Sequence, residues 1–271
     1  MLRFGTAGIP NGVKSYEKGI ELLKKRGLDS LEVEFVYGVR MSDSRAKEVG
    51  QLAREQGITL TCHGPYYINL NAAEPEKLEA SIRRVKRTIQ AGRAMGAFSV
   101  TFHAGFYLKQ APKQVLAVIR DRISEIMADE RKAGTPQVAP ETTGKPSQFG
   151  SLSELLQVVK GQENMSVCID FAHLHARSIG RYNSAKETEF VLGKVVQALG
   201  REALSHMHFH MAGIVYGPKG EKHHVNLEES DLNYPEILQV LRSWNVGGVV
   251  TCESPNLQDD ACLLKETYSR Y

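Results

Sequence analysis

Short apolar segments alternate with longer amphipathic segments along the whole chain, and this alternation constrains the fold more than any other feature. Strands are predicted at eight apolar segments, residues 2–7, 31–36, 58–63, 98–103, 137–141, 166–170, 206–210 and 248–253. Helices are predicted between them. Segments 76–96 and 113–134 carry apolar residues at helical spacing and run into a glycine, and segments 15–27 and 151–161 begin with serine. Strands that alternate with helices predict a parallel α/β sheet.

Eight such units within 271 residues predict closure of the sheet into a (β/α)8 TIM barrel, a single domain over residues 1–271. An open doubly wound sheet is the main alternative. It would carry a glycine-rich phosphate loop after the first strand, and GTAGIPNG matches that pattern poorly. We therefore expect no organic cofactor. In a barrel, functional residues collect at the carboxyl ends of the strands.

Composition and charge bound the class of partner. Hydrophobic residues make up 42% of the chain and charged residues 24%, which is enough apolar material for a core. The net charge of +3 permits a polyanionic partner without requiring one. The N-terminal stretch MLRFGTAGIP lacks a signal-peptide pattern and no run is long enough for a membrane span. We expect a cytoplasmic monomer that does not contact a membrane.

Histidines and acids collect where the barrel places functional residues. All nine histidines lie at strand ends or in the loops that follow, and six consecutive strands end in His, Asp or Glu. Carboxylates converging on one mouth repel each other unless a cation lies between them. Imidazole and carboxylate ligands suit zinc, manganese or iron. The sequence therefore predicts a metal site.

The number of ions depends on how many of these residues take part. Glu141, Asp170, His208 and Glu253 would by themselves hold one divalent ion. His63, His103 and His173, together with the loop pair Glu221 and His223, would then have no role. Two residues spaced i and i+2 in an extended segment reach the same ion, so the full set favours a multinuclear centre.

The order and spacing of these residues resemble the endonuclease IV family of apurinic/apyrimidinic endonucleases, within the xylose-isomerase-like barrels. The resemblance runs from about residue 3 to residue 256, over the motifs HGPYYINL, TFHAG, PETT, CIDFAH, MHFH, GEKHH and CESPN. It departs from the family at two places. His210 and Met211 stand where the family has an Asn-Asp pair, and Glu221 stands where the family has Asp.

The resemblance implies three zinc ions per chain, with manganese possible at one site. The three ligand sets would be His63, His103 and Glu141, then Glu141, Asp170, His208 and Glu253, then His173, Glu221 and His223. The family spacing selects His208 as the ligand from the seventh strand. His206 would then lie one layer deeper, and His210 would lie at the mouth as a substrate contact.

The resemblance also implies a reaction. It is hydrolysis of the phosphodiester 5′ to abasic sites in damaged double-stranded DNA, leaving a 3′-hydroxyl, with Glu141 as the bridging and catalytic carboxylate. DNA contacts are expected at Arg40, Tyr66, Tyr67 and His210, because extruded nucleotides need aromatic surface and phosphates need cations.

Two other classes of function stay open. A sugar isomerase or epimerase of the same superfamily would use only the four-ligand set and one metal ion. A non-catalytic nucleic-acid or metal-binding protein would have no reason to keep an acid at every ligand position, because buried charges are costly.

Overall fold

Eight parallel strands form the centre of the molecule in the computed structural model, which describes residues 1–271. The strands are β1 (Leu2–Ala7), β2 (Ser30–Glu34), β3 (Thr59–His63), β4 (Ser99–Phe102), β6 (Gln137–Pro140), β8 (Cys168–Asp170), β9 (Met207–Met211) and β12 (Gly248–Cys252). They are ordered β6-β4-β3-β2-β1-β12-β9-β8. Bridges between Val138 and Met165 and between Glu141 and Cys168 join the two end strands. The predicted (β/α)8 barrel is confirmed.

Nine α-helices accompany the strands. They are α1 (Tyr16–Lys25), α2 (Asp43–Gln56), α3 (Pro75–Met95), α4 (Pro112–Glu130), α5 (Leu152–Val159), α6 (Phe171–Arg177), α7 (Ala185–Leu199), α8 (Tyr234–Ser243) and α9 (Gln258–Ser269). None of these helices has both the length and the apolar character needed to cross a membrane.

Capping residues set the ends of several helices as the sequence predicts. Ser15 accepts the backbone N–H of Lys18 at the start of α1, and Ser151 forms a reciprocal capping box with Glu154 at the start of α5. Gly96 ends α3 in the left-handed region, with φ of 68°.

Helix α4 differs from the prediction because it ends at Glu130, four residues before the glycine at position 134. The Thr135 hydroxyl donates to the carbonyl of Glu130, and Arg93 contacts the Glu130 carboxylate at 3.3 Å. These contacts hold the chain at Glu130 and end the helix there.

Two small antiparallel pairs lie in the loops after barrel strands. Strand β5 (Gly105–Phe106) pairs with β7 (Gln148–Phe149), and β10 (Gly213–Gly217) pairs with β11 (Gly220–Val225). The second hairpin follows β9 and packs against α6. The segment GEKHH, predicted as loop, therefore forms most of a strand.

The barrel interior is polar, whereas the layer between barrel and helices is apolar. The Cys62 sulfur lies 3.4 Å from the sulfur of Met95 in α3, so Cys62 faces outward as alternation predicts. Its neighbour Thr61 faces inward and donates to Glu32 across the β2–β3 pair. The outward side chains belong to one cluster of 65 buried apolar residues. The strands thus present polar groups to one another inside the barrel, beneath its mouth.

Candidate metal centre

Glu141 is the centre of the side-chain cluster at the carboxyl ends of the strands. Its carboxylate is fully buried directly after β6. Oε2 lies 3.0 Å from Nε2 of His63 and 3.7 Å from Nε2 of His103. Oε1 lies 3.1 Å from Nδ1 of His173 and 3.4 Å from Nδ1 of His210. One carboxylate therefore contacts imidazoles from four segments of the barrel.

Four groups of side chains have ligand atoms that all lie within 4.8 Å of one another; Cys168, His208 and His210 form one that reaches into the layer below, and the other three overlap at the barrel mouth. Of these three, the first group is His63, His103 and Glu141; the second is Glu141, Asp170, His210 and Glu253; the third is Asp170, His173 and His224. Glu141 belongs to the first two groups and Asp170 to the last two. We refer to the second as the four-ligand group.

Local structure orients several of these side chains. Asp170 is the N-cap of α6, where one of its oxygens accepts the backbone N–H of His173 at 2.6 Å. This cap explains the spacing of Asp170 and His173, because it brings both residues to the first turn of the helix. His173 donates from Nδ1 to the carbonyl of Thr142 at 2.9 Å, and His63 donates from Nδ1 to the carbonyl of Gly64 at 2.7 Å. Nε2 of each ring is then directed at a carboxylate of the cluster, Glu141 for His63 and Glu221 for His173, and is the nitrogen that would ligate a metal ion.

Six buried polar atoms of the cluster's ligand groups lack a hydrogen-bond partner. They are Oε1 of Glu141, Oδ2 of Asp170, Nδ1 of His103, Nδ1 and Nε2 of His210, and Nε2 of His224. Unpaired buried polar atoms cost free energy, and a cation among them would supply the missing partner. The donor set of imidazole and carboxylate fits zinc or another transition metal.

The acids of the cluster are driven to opposite protonation states. Burial opposes the charge of Glu141, but His103 and His210 outweigh it and hold its pKa well below the usual range. Burial raises the pKa of Glu253 well above its usual range, and raises that of Glu34 to about 8. Burial also lowers the pKa of His103 to about 4. Burial opposes the charge of His63, but Glu34 and Glu141 outweigh it and raise its pKa to about 10. Protons therefore balance the carboxylates of the cluster, and a bound cation would take their place.

The structure brings His210 into the four-ligand group, where the sequence prediction had His208. The register of the parallel strands is the reason, since β9 pairs His210 with Asp170 and His208 with Cys168 one layer below. His208 is buried with its Nε2 3.0 Å from Oε2 of Glu32. His206 is exposed before β9 begins, so it is not a deeper layer of the site. We revise the ligand prediction from His208 to His210.

The same revision removes His210 from the predicted DNA contacts. Its side chain is fully buried beneath the mouth, where a duplex would not reach it.

The hairpin places His224, and not His223, beside the third group. Val215 pairs with His223 and Tyr216 with Glu221, so the register shifts and Lys222 is an extra residue in β11. This β-bulge breaks the alternation and turns Glu221 and His224 to the same face. Glu221 lies 3.7 Å from Nε2 of His173, whereas His223 is exposed. The prediction of His223 assumed regular alternation, and we revise it to His224.

A cavity of about 590 Å³ opens above the cluster. Its lining includes Tyr66, which is 58% exposed and whose ring lies 6.3 Å from that of His63, and also Lys145. Tyr67 is 61% exposed but is not part of the lining, and Arg40 is exposed in the loop after β2. Tyr66 is therefore the predicted DNA contact that lies closest to the metal-binding groups.

Sequence reasoning missed two acids in the second strand. Glu32 is buried inside the barrel, and Glu34 lines the cavity with one carboxylate oxygen buried and unpartnered. The signal was present in the segment LEVEFV, where charged residues at alternate positions put two acids on one face of a buried strand.

Comparison with known proteins fits this geometry. The family model described as xylose isomerase-like TIM barrel matches residues 20–269. This chain belongs to that family. An uncharacterized protein of Methanocaldococcus jannaschii is 41% identical, covering 99% of this chain and 97% of its own length. A Geobacillus protein named probable endonuclease 4 is 25% identical, covering 82% of this chain and 77% of its own. The resemblance to endonuclease IV is thus confirmed.

Two solved structures share the fold over nearly the full chain. Endonuclease IV from Thermus thermophilus aligns with a TM-score of 0.74 at 19% identity, over 99% of this chain and 98% of that one. A D-tagatose 3-epimerase-like protein aligns with a TM-score of 0.77 at 18% identity, over 100% and 97%. Since both kinds of enzyme share the barrel, the fold does not separate a nuclease from an epimerase.

Proposed function

We propose that this protein is a zinc-dependent apurinic/apyrimidinic endonuclease, which hydrolyses the phosphodiester 5′ to an abasic site in double-stranded DNA and leaves a 3′-hydroxyl. The observation that carries the proposal is the set of three overlapping metal-binding groups that share Glu141 and Asp170. Three groups exceed what a mononuclear enzyme requires. Similarity to probable endonuclease 4 supports the choice of phosphodiester chemistry.

In this proposal three zinc ions bind per chain, with manganese able to replace zinc at one site. His63, His103 and Glu141 hold the first. The four-ligand group holds the second. Asp170, His173, His224 and Glu221 hold the third. When bound, such ions neutralise phosphate charge and lower the pKa of water.

Residues of the chain carry the remaining steps. Glu141 keeps its negative charge as the shared ligand of two groups and lies among them, where it is the carboxylate placed to accept a proton from the attacking water. Tyr66 at the cavity mouth stacks against an extruded nucleotide, with Tyr67 beside it. Arg40 and Lys145 bind phosphates of the flanking strand. The substrate is damaged double-stranded DNA.

The test is incubation of the purified protein with a duplex that carries one tetrahydrofuran abasic analogue, with and without a chelator. This analogue cannot undergo β-elimination, so a chelator-sensitive cut that leaves a 3′-hydroxyl is expected only from hydrolysis. Glu141→Gln keeps the side-chain shape and should abolish the cut. Glu266→Gln, the same substitution at an exposed position of α9 outside the cavity lining, is the matched control and should leave activity unchanged. Zinc-loaded protein that leaves the duplex intact would contradict the proposal.

The second candidate is a sugar isomerase or epimerase that uses the four-ligand group and one metal ion. Glu34 favours it, because its carboxyl group has an unpartnered oxygen in the cavity that is able to hydrogen-bond a substrate hydroxyl. The Asn-Asp pair of the endonuclease IV pattern is also absent when counted from His210, since Ala212 and Gly213 stand there. Turnover of ketoses by protein that does not cut the duplex would support this candidate.

A further inference from the structure

A buried carboxylate lies directly beneath the four-ligand group. Glu32 enters the barrel from β2, separated from β9 in the sheet by β1 and β12, and is 1% exposed. Its Oε1 lies 2.9 Å from Nε2 of His210 and its Oε2 lies 3.0 Å from Nε2 of His208. The Thr61 hydroxyl donates to the same Oε2 at 2.7 Å. Glu32 therefore joins the ligand layer to the polar layer below it.

The two ring nitrogens of His210 face different environments. Nε2 points down to Glu32, whereas Nδ1 lies 3.4 Å from Oε1 of Glu141 and 3.4 Å from Oε1 of Glu253. A neutral imidazole ligates through the nitrogen that carries no hydrogen, so the hydrogen must sit on the other nitrogen. An ionised carboxylate accepts hydrogen bonds and cannot donate one. Nε2 of His210 and Oε1 of Glu32 have no other hydrogen-bond partner and lie closer to each other than Nδ1 does to either carboxylate above it, so Glu32 is the nearest acceptor for a hydrogen on Nε2.

We propose that Glu32 is the positioning residue of the four-ligand group: it accepts the Nε2 hydrogen of His210 and thereby fixes Nδ1 as the metal-binding atom. This inference rests on the metal centre of the proposed function but is independent of the substrate. A carboxylate behind a ligating histidine sets the orientation of the ring and raises the basicity of the ligand.

The layer below holds Glu32 in place. His208 contacts Ser99 through Nδ1 at 3.2 Å and Thr251 through Nε2 at 3.4 Å, so its ring is fixed by two other strands. With Thr61 it constrains the Oε2 side of the carboxylate. Oε1 is left directed at His210. This arrangement gives His208 a supporting role that needs no metal contact.

The first test is the zinc affinity of Glu32→Gln, measured by chelator competition against the wild-type protein. We expect one binding step to weaken by at least about tenfold, because loss of such a carboxylate typically costs roughly 10–100-fold in metal affinity. The other steps should keep their wild-type affinity. Glu253→Gln identifies the step, since Glu253 belongs to the four-ligand group alone. Unchanged affinity in Glu32→Gln, or equal weakening of every step, would overturn the proposal.

Thr61→Val is the matched control. It removes the hydroxyl that donates to Oε2 of Glu32 but leaves the contact between Oε1 and His210. We expect lower thermal stability with zinc affinity close to wild type. Zinc affinity that falls as far as in Glu32→Gln would show that general packing, and not the tautomer of His210, controls binding.

A second measurement needs no variant and tests which nitrogen of His210 binds zinc even if Glu32→Gln does not fold. Nitrogen-15 spectra of histidine-labelled, zinc-loaded wild-type protein should show His210 protonated at Nε2 and ligating through Nδ1. Ligation through Nε2 would refute the proposal. Neither measurement uses DNA, so failure of the nuclease assay leaves this inference standing, and failure here leaves the proposed reaction standing.

Discussion

The choice of metal ligand on β9 gives a quantitative prediction, because His208 and His210 are both buried and only one of them is expected to ligate in the four-ligand group. His210→Asn removes a member of the four-ligand group, whereas His208→Asn removes a side chain that contacts Glu32 in the layer below. Both substitutions delete a buried imidazole from the same strand and replace it with a smaller polar side chain. They therefore differ mainly in the layer that they disturb.

The magnitude follows from the number of ligands. A zinc site with four protein ligands contributes about 10–16 kcal/mol of binding free energy at neutral pH. One ligand of four then corresponds to about 3 kcal/mol, which is roughly a hundredfold in the dissociation constant. We expect this loss in His210→Asn for one ion per chain. His208→Asn should keep zinc affinity within about a factor of ten and lose stability instead, because it leaves Glu32 with one imidazole partner fewer.

The assay is zinc competition with a chromophoric chelator on protein first freed of metal, with thermal unfolding of the metal-free protein as the measure of stability. The metal-free unfolding temperature separates a folding defect from a ligand defect. If His208→Asn loses one zinc and His210→Asn retains it, the register argument is refuted, and the ligand layer lies two residues earlier in β9.

Three further outcomes are expected. His224→Ala should release one zinc ion per chain and His223→Ala should release none, because the bulge in β11 turns only His224 toward Asp170 and His173; release in His223→Ala alone would refute this orientation. Burial raises the pKa of Glu34 from 4.5 to about 8, so its ionisation is disfavoured in the folded state. The unfolding free energy of the metal-free protein should therefore fall as pH rises from about 5 to about 8, because the unfolded state loses the Glu34 proton at lower pH than the folded state does. Glu34→Gln should make this fall smaller, and an unchanged slope would contradict the pKa shift. Ser151→Ala should destabilise the protein by about 1 kcal/mol in denaturant unfolding through loss of the α5 capping box, whereas exposed Ser153→Ala should change little, and equal effects would argue against the cap.

Local patterns in the sequence were sufficient for the barrel and for the types of residue at its mouth. Strand and helix periodicities are properties of short segments, and each recurs eight times, so an error at one helix end such as that of α4 does not change the architecture. In a parallel barrel the carboxyl ends of all strands share one face. Knowing that His63, Glu141 and Glu253 end their strands was therefore enough to expect them in one cluster.

The residues for which the structure favours a different placement from the sequence prediction are those whose positions depend on partners far away in the chain. His208 and His210 have the same alternation, and only the pairing of β9 with β8 decides which of them lies level with Asp170. The bulge opposite Val215 depends on how β10 and β11 pair, so His223 and His224 could not be told apart by counting residues. Glu32 is only one acid in a short strand until the barrel closes and brings it to His210 across the interior.

The sequence by itself thus determined the barrel, the strand ends that carry histidines and acids, and the membership of most of the cluster, because each of these depends on contacts within one segment. Tertiary structure alone decided the register of β9, the face of the hairpin presented to the site, and the contact between Glu32 and His210. These depend on hydrogen bonds between strands, and a shift of one or two residues in pairing exchanges one histidine for another without altering any local preference.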